Sequence, residues 1–249
     1  MADQLPASGV TVHRGGDRYA SAPQDGVDTR HAFSFAGHYD PANTHFGALL
    51  ACNEETLAVG AAFAPHKHRD TEIVSWVVEG ALAHRDDHGH AAVVRPGRVQ
   101  YLSAGAGVVH SEGNVGGAEG PVRFVQFWLQ PDELGPPPRY GLRTAPTGPG
   151  LHLLADGTEL RRADAALYLL RCDPYTPLPA LPAAAYRYLH LVRGGLGLRT
   201  AAGPRGVGRE LGAGDSLRLS GPVEPVDPTA GPDGVEALLW VMHSALRYG

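Results

Sequence analysis

Two short segments carry the side chains best suited to holding a metal ion. PHKH (65–68) places His66 and His68 one residue apart, and HSE (110–112) places His110 and Glu112 at the same spacing. Imidazole nitrogens and carboxylate oxygens bind transition metals at about 2.0–2.2 Å. In an extended strand residues i and i+2 share a face, with Cα atoms about 6.6 Å apart. Each pair can therefore lean towards one point while Lys67 and Ser111 face away. Two such strands facing each other inside a small curved barrel would present three imidazoles and one carboxylate. One or two positions would be left for water, substrate or dioxygen.

Spacing alone is a weak signal. With 13 histidines in 249 residues, about 0.7 His-x-His pairs are expected by chance, and a second pair, His88 and His90, is present. That pair sits in and just after the polar turn DDHG (86–89), where no apolar residue would shield a metal, and it reads as solvated. His84 falls on the strand before that turn and is given no ligand role. His13, His31, His38 and His45 have no partner at ligand spacing and read as structural or exposed. Ten of the 13 histidines lie within residues 1–110.

The elements that must position these residues are short. Glycine (33) and proline (21) punctuate brief apolar runs, the pattern of an all-β sandwich or barrel. IVSWVV (73–78) ends at Glu79-Gly80. ALAHR leads into DDHG, AAVV into Arg95-Pro96-Gly97, and VQYLSAG, GVVHSE (107–112) and PVRFVQFWLQ (121–130) follow, all read as strands. Helix is confined to a turn or two, one candidate being PDEL (131–134). PDELGPPPRYGLRTAPTGPG (131–150) reads as a linker, since prolines and glycines at this density interrupt a sheet. Beyond it, "VVEGAL…VRPGRVQYLSAG" is echoed by "LVRGGLGL…LGAGDSLRLSG" (191–198 and 211–221), which points to a duplicated β-domain. The chain thus divides into residues 1–135, a connection over 136–150, and residues 151–249. LPALPAAA (178–185) joins parts of the second half and carries no visible chemistry.

Charge and composition exclude other classes. A net charge of −5 without any Lys/Arg cluster argues against a nucleic-acid partner. No stretch approaches the 18 apolar residues of a membrane span, and the N-terminus shows no apolar leader. Cys52 and Cys172 read as two free thiols in a reducing compartment, so the expected location is the cytoplasm.

The stretch PHKHRDTEIVSWVVEGALAHRDDHG…RPGRVQYLSAGAGVVHSEGN resembles the pirins, a branch of the cupin superfamily. RHAFSFAGHYDP (30–41) resembles most the bacterial pirin-like group in which some members are quercetin 2,3-dioxygenases. The resemblance is close over about residues 28–130 and looser to the end, where RADAALYLL (162–170) fits the family's second domain. It implies a bicupin, two tandem cupin barrels of which the first binds metal and the second is degenerate. Carried over by position, the metal ligands are His66, His68, His110 and Glu112. Pirins usually have proline where Lys67 stands, a position that faces away from the metal. In the second barrel the corresponding places fall at Ala180, Pro182 and near Asp227, which form no ligand set.

The resemblance further implies one divalent transition metal, iron(II) first, with manganese, cobalt, nickel and copper also suited to such a donor set. The activity implied is dioxygenolytic ring opening of a flavonol such as quercetin, with release of carbon monoxide. The flavonol 3-hydroxyl would bind the metal and Glu112 would take its proton as general base. Phe63, Trp76 and Val108 are candidates for the wall of an aromatic pocket, against a plainer reading as barrel core. The alternative is a non-catalytic, redox-sensing regulator that acts by binding another protein.

Overall fold

The computed structural model describes residues 9–21, 25–116, 120–199, 209–221 and 227–246. Its contacts divide the chain into two compact units. One comprises Arg18–Pro146 and Ala155–Ala163; the other comprises Met1–Asp17, Thr147–Leu154 and Asp164–Gly249. The architecture is all-β, as composition and turn spacing indicate. Among the described residues the one helical element is a single 3-10 turn, Gly15–Asp17. No helix forms at 131–134, where the chain follows an irregular path.

The first strand, β1 (Gly9–His13), belongs to the second of these units. The Arg18–Pro146 unit holds the next eleven: β2 (Tyr19–Ala20), β3 (Val27–His31), β4 (Leu49–Leu57), β5 (Ala62–His68), β6 (Glu72–Glu79), β7 (Leu82–Asp86), β8 (Ala91–Val94), β9 (Arg98–Ser103), β10 (Val108–Asn114), β11 (Val122–Leu129) and β12 (Arg139–Thr144). They form a seven-stranded sheet in the order β12-β9-β6-β11-β4-β3-β2 and a four-stranded sheet in the order β5-β10-β7-β8. Every neighbouring pair in both sheets is antiparallel. Apolar side chains at alternating strand positions supply the core. Leu57, Val77, Leu82, Val122 and Phe124 form one cluster, and Ile73, Leu102, Ala104 and Val108 another. Burying each of the larger of these side chains contributes about 1.5–3 kcal/mol.

The remaining strands are β13 (Gly150–Ala155), β14 (Ala165–Cys172), β15 (Tyr186–Arg199), β16 (Arg209–Gly212), β17 (Ser216–Ser220) and β18 (Asp227–Met242). With β1 they make a second seven-stranded sheet, ordered β1-β17-β15-β18-β14-β13 with β16 on β15. Its core is dominated by leucines such as Leu189, Leu191, Leu217, Leu219 and Leu239. Neither Cys52 nor Cys172 is in a disulfide.

Two local readings of the sequence change. The stretch read as a connection carries β12, which pairs with β9 from Arg139↔Ser103 to Thr144↔Arg98. Its prolines flank the strand instead of interrupting it, and β12 closes one end of the sheet, where such neighbours are tolerated. Residues 9–17, assigned from sequence to the first β-domain, group with the C-terminal unit. There β1 pairs with β17, and Arg14 Nη1 meets the Asp215 carboxylate at 2.7 Å. Residues 1–8 lie outside the described set.

The echoed glycines adopt matching conformations. Gly80 and Gly194 have φ of 75° and 70°, and Gly97 and Gly214 have φ of 85° and 87°. At Gly80 a Cβ would also stand 2.7 Å from the Pro121 carbonyl oxygen, so a side chain is excluded by both conformation and space. Gly80→Ala is expected to destabilise the protein by about 1–3 kcal/mol, read as a lowered Tm. An unchanged Tm would show that the β6–β7 turn can relax.

Candidate metal centre

His66 and His68 lie at the C-terminal end of β5, and His110 and Glu112 in the middle of β10. The two strands are hydrogen-bonded neighbours in the four-stranded sheet, not strands facing each other across the barrel as the spacing suggested. His110 pairs with His66 and Val108 with His68. This arrangement suits the chemistry better. Facing sheets stand about 10 Å apart, whereas residues directly opposite on neighbouring strands have Cβ atoms about 4.5–5.5 Å apart. The ring centroids of His66 and His68 are 4.7 Å apart, those of His66 and His110 4.6 Å, and those of His68 and His110 4.9 Å. His110 is buried, and His66 and His68 are half-buried. Lys67 between them is exposed.

Glu112 is brought to the same region but into a different triplet. The donor atoms of His66, His68 and His110 lie within 4.8 Å of one another, and so do those of His84, His110 and Glu112. His110 belongs to both. A register shift in β10 between His110 and Glu112 leaves Glu112 opposite Phe63 on β5 and opposite His84 on β7. Its carboxylate is buried and clamped by two amides. Gln100 donates to Oε1 at 2.7 Å and Gln126 to Oε2 at 2.8 Å. These glutamines are themselves oriented, Gln100 by the Tyr140 hydroxyl at 3.0 Å and Gln126 by the Trp128 indole N–H at 2.9 Å.

His84, Gln100 and Gln126 were not singled out from the sequence. The signal present was a polar residue in the inward phase of a strand: His84 alternates with Leu82 in LAHRD, and both are buried. His84 Nδ1 stands 3.5 Å from His110 Nδ1, and its ring stacks on Tyr140 at 4.4 Å and 14°.

The other histidines lie apart from both triplets. His88 is exposed in its turn, while His90 Nδ1 donates to Asp86 at 2.8 Å instead of being merely solvated. His31 bonds Asn53 and Ser21, and His38 stacks on Tyr19. Of the residues suggested as pocket walls, Trp76 and Val108 are core, each 1% exposed. Phe63 meets His66 edge-on at 6.3 Å. The aromatic side chain against the cluster is Trp128, edge-on to His68 at 4.9 Å and itself flanked by Phe35.

Residues 15–129 match the family model described as Pirin. A Mycobacterium tuberculosis protein provisionally named as a quercetin 2,3-dioxygenase is 37% identical over 250 residues, covering 95% of this chain and 96% of that protein. The chain belongs to the pirin family. An Escherichia coli protein named quercetin 2,3-dioxygenase is 40% identical over 117 residues, which cover 47% of this pirin and half of that protein. Among solved structures, the E. coli pirin YhhW in complex with nickel(II) is 26% identical, with a TM-score of 0.82 over 95% of this pirin and all of that chain. The all-β architecture is therefore that of the pirin and cupin fold.

The donor set of this pirin fits a metal on its own chemistry. His110 Nε2 is buried and has no hydrogen-bond partner among the described residues. His66 Nδ1 lies 2.8 Å from the Ala64 carbonyl oxygen, which can only accept, so Nδ1 carries the proton and Nε2 keeps its lone pair. Burial, then the adjacent His66, pushes the His68 pKa down to about 4. Burial and the rings of His66, His68 and His84 push His110 down to about 3, against a smaller opposing effect of Asp86. Near neutral pH His68 and His110 are thus uncharged nitrogen donors. Ala180 and Pro182 in the C-terminal unit have no donor side chain, and the side chain of Asp227 lies outside the described set.

Because both pKa values are depressed, the unfolded chain takes up protons at higher pH than the folded one. The linked stability is complete above the ordinary histidine value of 6.5 and is lost as pH falls towards 4 and then 3. Metal-free protein is expected to lose Tm from about pH 6.5 downward, and the variant His110→Asn to lose it less steeply. Identical slopes for the two proteins would contradict the assignment.

Proposed function

We propose that this pirin is a metal-dependent dioxygenase that opens the heterocycle of a flavonol such as quercetin. The reading rests foremost on one observation, the bare and buried Nε2 of His110 in a cluster with two further imidazoles. Burying a polar atom without a partner costs free energy, and a bound cation is a direct way to satisfy it. His66, His68, His110 and Glu112 would hold one divalent ion, iron(II) first, with manganese, cobalt, nickel and copper as other suited ions. When bound, the metal supplies Lewis acidity and a place for substrate oxygen and dioxygen. The names of the relatives support the substrate class.

The residues of this chain have separable tasks. Glu112 receives the proton of the flavonol 3-hydroxyl on a carboxylate oxygen. Each of its oxygens has a second lone pair beyond the one engaged by Gln100 or Gln126, so the carboxylate can accept that proton without leaving its clamp. The glutamines keep the carboxylate fixed, which preserves alignment through proton transfer. Trp128 offers a flat apolar surface beside His68 against which an aromatic ring system can lie, with Phe63 beside His66. Among the described residues no helix is long and apolar enough to cross a membrane.

Anaerobic reconstitution with iron(II), followed by quercetin and oxygen, is expected to give steady loss of flavonol absorbance with release of carbon monoxide. His66→Ala is expected to lose most of its metal. Glu112→Gln should lower kcat by about 10²- to 10⁴-fold, the usual share of a general base. Absence of turnover with all five metals would overturn the enzyme. A metal-loaded but inactive protein would instead favour a redox-sensing regulator acting through a protein partner.

A further inference from the structure

His110 is the donor shared by both triplets, and which of its two nitrogens carries a proton decides which of them can bind a metal. The register β5-β10-β7 places His66, His110 and Asp86 in line across three strands. Behind His110 stands His84, whose Nε2 is 3.4 Å from Asp86 Oδ2 and whose Nδ1 is 3.5 Å from His110 Nδ1. Both contacts are at the long end of hydrogen bonding. The side chains of His84 and Asp86 are 0% and 1% exposed, and Tyr140 stacked on His84 holds the ring in its plane.

With each ring a neutral imidazole, one proton arrangement satisfies this line of groups. A carboxylate accepts and cannot donate, so His84 carries its proton on Nε2. As a neutral imidazole it then presents a bare Nδ1, which must accept from His110 Nδ1–H. His110 is left with a bare Nε2, the buried atom for which no partner is found among the described residues. The opposite tautomer of His110 would bury an N–H donor among imidazoles.

We propose that Asp86 and His84 are positioning residues that set the tautomer of His110 and so make Nε2 its metal-binding atom. The inference rests on the metal-centre reading above and assigns roles that it does not contain. Hydrogen bonding to the far nitrogen of a metal-bound histidine also fixes its orientation and strengthens it as a donor.

An isosteric change tests the direction of the chain. Asp86 Oδ1 accepts the backbone N–H groups of His88 at 3.0 Å and His90 at 2.9 Å, while Oδ2 faces His90 Nδ1 and His84 Nε2. In Asp86→Asn the two backbone donors hold the amide oxygen in the place of Oδ1, which puts the NH₂ group towards His84. His84 must then accept on Nε2 and donate from Nδ1, and His110 must carry its proton on Nε2, the atom a metal needs bare.

Nitrogen-15 NMR of histidine-labelled, metal-free protein reads each tautomer directly, and cobalt(II) affinity is measured by competition with a chromophoric chelator. Wild type is expected to show His84 Nε2–H and His110 Nδ1–H. Asp86→Asn is expected to show His110 Nε2–H and a cobalt(II) affinity about 10- to 100-fold weaker, with unchanged circular dichroism. Wild-type His110 protonated on Nε2, or a folded Asp86→Asn protein with wild-type cobalt affinity, would overturn the proposal. If the variant does not fold, the wild-type tautomers decide. Wild type that shows the expected tautomers yet takes up no cobalt would remove the metal reading and leave the tautomer relay standing.

Discussion

The antiparallel pairing of β5 with β10 is the constraint on which the rest of the site depends. It sets His66 opposite His110 and Val108 opposite His68, and a slip of one residue would turn either histidine pair to the opposite face. Three features hold the register. Val108 is buried with Ile73, Leu102 and Ala104, which anchors one end of β10. Asn114 anchors the other, its amide donating to the Leu57 carbonyl at 3.0 Å. The pairing of β10 with β7 on its far side runs unbroken from His110↔Asp86 to Asn114↔Leu82. β5 is an edge strand of this sheet, so two of the three clustered imidazoles ride on the less supported element and the third on the better supported one. That division matches their burial, with His110 inside and the β5 pair half-open.

Around this ladder the protein buries several polar side chains, and those of the carboxylate network are held by one another. Glu112, Gln100, Gln126, Tyr140 and Trp128 form one connected network. Tyr140 also stacks on His84, so it supports the carboxylate through its hydroxyl and the histidine through its ring. Networks of this kind rigidify when complete and are costly when a member is missing. Carboxylate and imidazoles are therefore positioned by a single scaffold. A shift of Tyr140 would be felt by Glu112 and by His110 together, although it touches neither directly through its hydroxyl.

The strand content and the histidine pairs could be read from the sequence because their signals are local. The apolar run around Trp76, glycines at 80 and 97, and two i, i+2 histidine motifs each occupy a few residues. What escaped was relational. β12 follows three prolines, and only its pairing with β9 reveals RYGLRT as a strand. β1 joins β17 some 200 residues away, a pairing that no local pattern announces. The sharpest miss at the site was His84. It has no histidine at ligand spacing, and its significance comes from standing opposite Glu112 on the neighbouring strand. For the same reason the two motifs were expected to face each other across a barrel, since spacing along each chain segment carries no information about which strands are neighbours. Family resemblance supplied the grouping of the four donors; their division into overlapping triplets around His110 comes from the structure.

A buried imidazole nitrogen without a partner can be satisfied in two ways, by gaining a proton or by gaining a cation. At His110 the first is opposed from several sides. Burial disfavours the charged ring, and the neighbouring histidines add to that penalty. Full protonation would also place an N–H donor on Nε2, which has no hydrogen-bond partner among the described residues. A metal avoids both difficulties, because it adds charge where lone pairs already converge and asks the imidazole to remain neutral. The same features that make His110 a poor base therefore make it a good ligand. Asp86, two strands from β5 and in line with His66, is close enough to bias that choice while its own carboxylate stays committed to the turn that follows it.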